Sequence, residues 1–172
     1  IRLSEGTSIA EIWSPDGQYV AFDWTEFEAP NLFRRVADGS QPAERLSTRD
    51  DVEVPGTWSP DGQSLIFVTG DALSVMQMEE RSSQLLIGQD AILHPELSPD
   101  GRWLAYAAVD SGRFEVYVQP YPGDGGRVQV STQGGWSPFW SDNGRELLYI
   151  QFAQDQDSPP RMMEVAIDIE PT

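Results

Sequence analysis

The sequence predicts an all-β chain of four-stranded antiparallel blades, the architecture of a β-propeller. Three observations lead to this prediction: a turn motif occurs four times, its copies recur at a regular spacing, and strand-like runs follow each copy. The copies are WSPDGQYVAF, WSPDGQSLIF, LSPDGRWLAY and WSDNGRELLY. Their serines, Ser14, Ser59, Ser98 and Ser141, are 45, 39 and 43 residues apart. A propeller blade of four strands occupies roughly 40–45 residues.

The runs after each motif are typical of strands. The second strand is predicted at YVAFDW, SLIFVT, WLAYAAV and ELLYIQF, and the third at NLFRRV, LSVMQM, FEVYVQP and MMEVAI. A fourth strand is predicted at ERLS, QLLIG and RVQVST, in three of the four repeats. These runs are short and rich in aromatic and β-branched residues, as strands are. Fifteen Gly and thirteen Pro along the chain disfavour long helices.

The motif has the composition of a tight hairpin turn between the first and second strands. Proline fixes φ near −65°, aspartate accepts hydrogen bonds from its own turn, and glycine adopts the left-handed conformation without steric cost. The fourth copy has Asp142 in place of Pro and Asn143 in place of Asp, and asparagine suits the same turn. We therefore assign a structural turn role to Ser14, Pro15, Asp16, Gly17, Ser59, Pro60, Asp61, Gly62, Ser98, Pro99, Asp100, Gly101, Ser141, Asn143 and Gly144.

The residue before each turn ends the first strand. It is Trp13, Trp58, Leu97 or Trp140, and we expect these side chains to pack between neighbouring blades. Stacked blades bury both faces of their sheets, which explains strands that are apolar on both sides.

The predicted organisation is a single propeller domain over residues 1–172, with blades over residues 9–47, 52–88, 92–132 and 135–168. The last blade has three predicted strands, and IRLSEG at the start of the chain resembles the fourth strand ERLSTR. We therefore predict that Ile1–Ser4 is a spare fourth strand that completes the last blade. Pairing within one chain gives a closed four-bladed ring, and pairing between chains joins two half-rings. A piece of a larger propeller is the third alternative, and we expect a homodimer or such a piece.

The charge of the chain excludes several partners. Eleven Arg, no Lys and 28 acidic residues give a net charge of −17, which repels nucleic acids and anionic membranes. No apolar run approaches the roughly 20 residues that a membrane-spanning helix needs. Such a surface attracts a basic protein or peptide.

On the quoted motifs, the chain resembles the TolB-like β-propeller repeats, which are related to WD repeats. The segment SGRFEVYVQPYPGDGGRVQVSTQGGWSPFWSDNGRELLYI resembles the last blades of propellers that follow bacterial serine/threonine kinase domains. The resemblance implies a non-catalytic interaction or sensor module with protein partners. It also implies a periplasmic or otherwise extracytoplasmic location.

The sequence contains few of the residues that catalysis or metal binding requires. There is no G-x-S-x-G motif, no Cys and one histidine, His94, which we interpret as structural or channel-lining. One His without Cys excludes the usual zinc sites. We therefore expect no catalytic residues and no cofactor. A structural calcium at STRDDVEV or FAQDQDSPP is the alternative for metals, although neither segment has EF-hand spacing. A hydrolase of glycans or peptides that acts through a carboxylate pair is the alternative function.

In a propeller, the loops from second to third strand and from fourth to next first strand lie at one end of the blades. Sorted in this way, the sequence places aromatic and acidic residues together there, which is a plausible pattern for a protein-binding hot spot. The predicted partner-binding residues are Trp24, Glu26, Phe27, Glu28, Asp50 and Asp51, and Glu53 is among the accompanying acids. The alternative is that Trp24 and Phe27 pack between blades and the acids only solvate loops.

Overall fold

The computed structural model describes residues 8–25, 30–48, 50–88, 91–110, 112–123, 125–152 and 159–168. Within these ranges the chain is all-β: every regular element is a strand, and no helix is present that could span a membrane. The strands form two compact units, Ile1–Gln89 and Asp90–Thr172, each with two antiparallel sheets. The predicted fold class, antiparallel β-propeller blades with about four in this chain, is confirmed.

The N-terminal unit contains blades 1 and 2, and each is a four-stranded meander whose strands lie in chain order. Blade 1 consists of β1 (Glu11–Trp13), β2 (Tyr19–Trp24), β3 (Asn31–Val36) and β4 (Glu44–Arg45). Blade 2 consists of β5 (Glu53–Trp58), β6 (Ser64–Thr69), β7 (Ala72–Gln77) and β8 (Ser82–Ile87).

The C-terminal unit contains blades 3 and 4. Blade 3 is again a four-stranded meander, of β9 (Ile92–Leu97), β10 (Trp103–Asp110), β11 (Arg113–Pro120) and β12 (Val128–Gln129). Blade 4 has three strands in the described residues, β13 (Trp136–Trp140), β14 (Glu146–Gln151) and β15 (Arg161–Ala166). Its β15 therefore pairs on one side only within the described part of the chain. The proposed spare strand Ile1–Ser4 lies outside the described residues.

Each unit has a core between its two blades. In the N-terminal unit, Trp58, Leu65 and Phe67 of blade 2 pack against Ala21 and Leu32 of blade 1. The C-terminal unit repeats the arrangement, with the residues Trp140, Leu147, Tyr149, Ala105, Val116 and Val118. One face of each blade is therefore buried against the neighbouring blade of its own unit.

The pre-turn aromatic residues differ in their burial. Trp58 and Trp140 are 8% and 3% exposed, so the expectation that they pack between blades is confirmed. For Trp13 the expectation is wrong, because 62% of its surface is exposed. The three tryptophans hold the same position in the motif. Trp58 and Trp140 lie on a blade face that another blade of the same unit covers, whereas Trp13 does not.

Candidate partner-binding site

The four turns have one hydrogen-bonding pattern. In the first, the Ser14 hydroxyl donates to Asp16 Oδ1 over 2.6 Å and accepts from Tyr19 N, while Gln18 N donates to Asp16 Oδ1. The second and third copies repeat these bonds. In the fourth copy, Asn143 Oδ1 accepts from the Ser141 hydroxyl and from Arg145 N, as Asp does elsewhere. The turn glycine has a φ of 69° to 71° in every copy.

The turn carboxylates are held in the ionised form. The pKa of Asp16 is lowered, chiefly by the hydrogen bond from the Ser14 hydroxyl, and that of Asp61 is lowered in the same way by Ser59. At Asp100, partial burial opposes the shift, but hydrogen bonds from Ser98 and Arg102 still lower the pKa. These groups therefore serve as acceptors within their turns and are poor general acids.

The structure brings together two of the loops to which the sequence assigned partner binding. Trp24 ends β2, and Asp50 and Asp51 precede β5. A hydrogen bond of 2.9 Å from Glu53 N to Pro30 O joins the start of β5 to the loop after β2. Asp50 and Asp51 are both exposed. We refer to Trp24, Asp50 and Asp51 together as the acidic end. The other predicted partner-binding residues, Glu26, Phe27 and Glu28, lie outside the described residues.

Trp24 belongs to an aromatic cluster of blade 1. Its ring meets that of Phe33 edge-on, with 5.0 Å between ring centroids, and lies 6.3 Å from that of Phe22. Trp24 is half-buried, while Phe22 and Phe33 are buried. Trp24 thus contributes packing to its own blade, and only its remaining surface is available to a partner.

Glu53 departs from the sequence-based expectation. It was expected among the acids of the loops, but it is fully buried at the start of β5, so that expectation is wrong. Its carboxylate accepts a hydrogen bond from the Ser47 hydroxyl, which itself accepts from Leu32 N. The acid therefore stabilises the connection between blades 1 and 2.

Two further buried carboxylates hold the connections that precede a first strand. Asp23 accepts from the Ser8 hydroxyl and from Ile9 N and Ala10 N, just before β1. Glu115 accepts from the Ser131 hydroxyl and from Gly134 N, just before β13. Sequence reasoning missed this role. The signal was present in the serine that ends the ERLS and RVQVS segments, because Ser47 and Ser131 occupy equivalent places.

Glu96 is a carboxylic acid of the C-terminal unit whose pKa is shifted far from its ordinary value. It lies opposite Ala105 in the β9–β10 pairing, and its backbone carbonyl accepts a hydrogen bond from Trp140 Nε1. Burial raises the pKa of its carboxyl to about 7. Protonation is therefore favoured in the folded state, between the ordinary pKa of 4.5 and about 7.

We expect Glu96→Gln to stabilise the protein by about 1–3 kcal/mol at pH 8 and to have little effect at pH 4. The reason is that the folded chain must ionise a half-buried carboxyl as the pH rises through about 7, a cost that the unfolded chain does not bear. The measurement is urea unfolding at a series of pH values. Glu79→Gln, at an exposed position of the β7–β8 turn, is the control. Equal stabilisation by Glu96→Gln at pH 4 and pH 8 would contradict the account.

The remaining candidates are His94 and the two possible calcium segments. His94 is exposed, and its ring meets Trp136 edge-on with 4.6 Å between centroids; its structural or channel-lining role stays a prediction. Within the described residues, no group of three or more His, Cys, Asp or Glu side chains is placed to hold a metal ion. Most of FAQDQDSPP and one residue of STRDDVEV lie outside those residues.

The blade geometry is shared with solved propellers. The structure assigned to TolB of Agrobacterium tumefaciens matches 96% of this chain with a TM-score of 0.77 and 20% sequence identity. TolB from Acinetobacter baumannii matches 95% with the same TM-score and 18% identity. The chain has the fold of the TolB-like propellers. An oligogalacturonate lyase in complex with manganese also matches 95% of the chain, with a TM-score of 0.67 and 16% identity.

The sequence comparisons add one relative. An uncharacterised protein of Agrobacterium fabrum is 26% identical over 163 residues, which are 91% of this chain and 55% of that protein. No family model matches the chain. The chain spans 55% of this relative and 65% and 42% of the two TolB structures. The similarity to kinase-linked propellers stays a prediction.

Proposed function

We propose that this TolB-like chain is a non-catalytic interaction module that binds a basic protein or peptide segment at the acidic end of its N-terminal unit. The observation that carries the proposal is the exposure of Asp50 and Asp51 on a connection that hydrogen bonds to the loop after Trp24. A net charge of −17 adds long-range attraction for a cationic partner.

The way in which other carboxylates are used supports a binding role. Asp16, Asp61 and Asp100 are acceptors within turns, and Asp23, Glu53 and Glu115 are buried acceptors that hold connections. Asp50 and Asp51 of the acidic end are exposed in the connection before β5, where they can meet positive groups of a partner. Half-buried Trp24 at the end of β2 supplies the kind of aromatic surface that is enriched at protein interfaces.

The proposal includes the setting in which the module acts. It needs no metal or cofactor, and we place the chain in the periplasm or elsewhere outside the cytoplasm, by analogy with TolB. We also propose that it works as a homodimer. A protein partner is compatible with both the location and the homodimer. The analogy rests on the TolB structures, which share this fold.

A propeller hydrolase is the second candidate function. The observation that favours it is Glu96, whose pKa of about 7 suits a general acid at neutral pH. Glycoside hydrolysis requires a second carboxylate roughly 5–10 Å from the first. Glu96 lies opposite Ala105, and the Trp140 indole donates to its backbone carbonyl, so neither neighbour supplies a second carboxylate and the binding role has the stronger support.

We expect Asp50→Asn combined with Asp51→Asn to weaken binding of an Arg-Ser repeat decapeptide about three- to tenfold in low salt. The reason is that each exposed charge pair contributes about 0.2–1 kcal/mol. The measurement is isothermal titration calorimetry with the purified chain. Glu79→Gln combined with Glu80→Gln is the matched control, since it removes the same charge from exposed positions of the same unit. Equal weakening by both double variants would mean that net charge alone attracts the peptide and would overturn the assigned site.

A further inference from the structure

We propose that a cavity between the first two turns of the N-terminal unit binds a proline-rich segment of a partner protein that carries an arginine. The bound segment accepts a hydrogen bond from the Trp58 indole and places its arginine against the carboxylates of Asp16 and Asp61. The cavity lies at the start of β2, whereas the acidic end lies at the end of that strand. The two sites therefore share no residue, and this one goes beyond the function proposed above.

The cavity lies between the turn of blade 1 and the turn of blade 2. A β-carbon placed on Gly62 would lie 3.8 Å from Pro15 Cδ, so the two turns are within van der Waals reach of each other. The cavity has a volume of about 380 Å³, within the range of roughly 300–1,000 Å³ for ligand sites. We refer to it as the inter-turn cavity, and its lining includes Pro15, Asp16, Tyr19, Trp58, Pro60 and Asp61.

Two carboxylates of the inter-turn cavity keep an oxygen for a ligand. Oδ1 of Asp16 and Oδ1 of Asp61 each accept from the serine hydroxyl and from a backbone N–H of their own turn. Oδ2 of each carboxylate forms no hydrogen bond with another described residue. The turn bonds, chiefly that from the serine, lower the pKa of both groups, so both are ionised at neutral pH.

The turns of the C-terminal unit do not provide such a pair. In the third copy, Arg102 Nε donates to Asp100 Oδ2 over 2.8 Å. The fourth copy has the neutral Asn143 in place of the aspartate. In the first two copies Gln18 and Gln63 hold the place of Arg102. The sequence of the turns thus leaves two unneutralised carboxylates in the N-terminal unit.

Trp58 supplies a hydrogen-bond donor to the inter-turn cavity. It is 8% exposed, and its indole N–H, the only polar group of the side chain, is buried without an acceptor among the described residues. Trp140 holds the same place in the motif, and its indole N–H donates to Glu96 O. A buried donor without an acceptor is energetically costly. A ligand that brings an acceptor atom to Trp58 is stabilised by removing that cost.

These groups favour a peptide over a simple cation or a neutral sugar. A cation offers no acceptor to the indole, and a neutral sugar offers no charge to the carboxylates. A segment in the polyproline II conformation has no internal hydrogen bonds, so its carbonyls are free to accept. Such segments bind to grooves lined by aromatic residues, and here Tyr19, Trp58, Pro15 and Pro60 form the apolar lining. The forked guanidinium of an arginine suits carboxylate oxygens.

Tyr19 is held in place by contacts within blade 1. The guanidinium carbon of Arg34 lies 4.8 Å from the centroid of the Tyr19 ring. Arg34 Nε also donates to Glu44 Oε2 over 2.6 Å, and the Glu44 carboxylate balances the charge of Arg34. The aromatic lining is therefore ordered before a segment binds, and the two aspartates set the charge of the cavity.

The test follows the six tryptophan indoles of the purified, ¹⁵N-labelled chain by NMR during titration with the blocked peptide Pro-Pro-Arg-Pro-Pro. We expect the Trp58 indole proton to shift downfield, because it gains an acceptor, while the Trp24 indole proton does not move. Trp58→Phe identifies the resonance by removing it. The twin peptides Pro-Pro-Gln-Pro-Pro, without the charge, and Gly-Gly-Arg-Gly-Gly, without the polyproline II conformation, should each bind about three- to tenfold more weakly.

Asp16→Asn combined with Asp61→Asn removes the two charges and keeps the turns. The fourth copy shows this, since Asn143 Oδ1 accepts the same two hydrogen bonds. We expect the double variant to lose the preference for the Arg peptide over its Gln twin. Asp100→Asn combined with Glu80→Gln removes the same charge from exposed positions outside the cavity and should retain the preference. Circular dichroism verifies that each variant is folded.

Three results would overturn the proposal. The first is an unmoved Trp58 indole resonance, whether or not the Arg peptide binds. The second is equal binding of the Gly twin, which would show that charge alone attracts the peptide. The third is an equal loss of preference in the two double variants.

The same titration separates this site from the acidic end. A shift of the Trp24 indole that Asp50→Asn with Asp51→Asn abolishes, without a shift at Trp58, would place the peptide at the acidic end. That result would overturn the inter-turn cavity and support the function proposed above. A shift at Trp58 that persists in the Asp50→Asn, Asp51→Asn variant supports the inter-turn cavity alone, so the two proposals can fail separately.

Discussion

Trp140→Ala is expected to destabilise the C-terminal unit by about 3–5 kcal/mol, the range for removing a large buried aromatic side chain. Trp140 is 3% exposed and packs in the core between blades 3 and 4, where its indole N–H donates to Glu96 O over 3.2 Å. The substitution leaves a cavity in that core and leaves the carbonyl without this donor. The measurement is urea unfolding followed by circular dichroism.

Trp13→Ala is the matched control, because Trp13 holds the same position in the first copy of the motif. Its surface is 62% exposed, so we expect a change of only about 0.5 kcal/mol or less. Similar losses of stability in the two variants would show that the motif position itself, rather than the contact with a neighbouring blade, determines the contribution of the tryptophan.

Glu115→Ala is expected to cost about 3 kcal/mol, because it removes an acceptor from several buried donors. The Glu115 side chain is nearly fully buried and accepts from Arg113 Nε over 2.7 Å, from Gly134 N over 3.0 Å and from the Ser131 hydroxyl. Without the Glu115 carboxylate, the Ser131 hydroxyl and the Gly134 amide lose their acceptor in the connection that leads into β13. Hydrogen exchange of the Gly134 amide should accelerate along with the loss measured by urea unfolding.

Two variants make the Glu115 result interpretable. Glu115→Gln keeps the volume and one acceptor oxygen, so we expect a smaller loss of about 1–2 kcal/mol. Glu164→Ala removes an exposed carboxylate from β15 of the same unit and should change stability by about 0.5 kcal/mol or less. If Glu115→Ala were no more destabilising than Glu164→Ala, the buried carboxylate would not stabilise the connection.

The two predictions concern the same unit but different kinds of interaction. Trp140 stabilises by apolar packing between blades, whereas Glu115 stabilises by satisfying polar groups within a connection.

The turns and strands were determined by the sequence alone, because their interactions are local. Ser14, Asp16 and Tyr19 complete their hydrogen bonds within six residues of chain, and the same residue types recur at Ser59 and Ser98. A pattern that contains all of its own partners can be recognised without any knowledge of distant segments. The period of the copies then predicts blades, since a single blade cannot bury both of its faces.

Only the tertiary structure decided what depends on segments far apart in the chain. Trp13 and Trp140 hold the same position in the motif, yet only Trp140 is covered by a neighbouring blade in its unit. Glu53 occupies a place in the sequence where a solvated loop acid is expected, but its bond with Ser47, which in turn holds the more distant Leu32 amide, makes burial favourable. The physical reason is that burial is a property of what packs against a residue, and a linear pattern records only the residue itself.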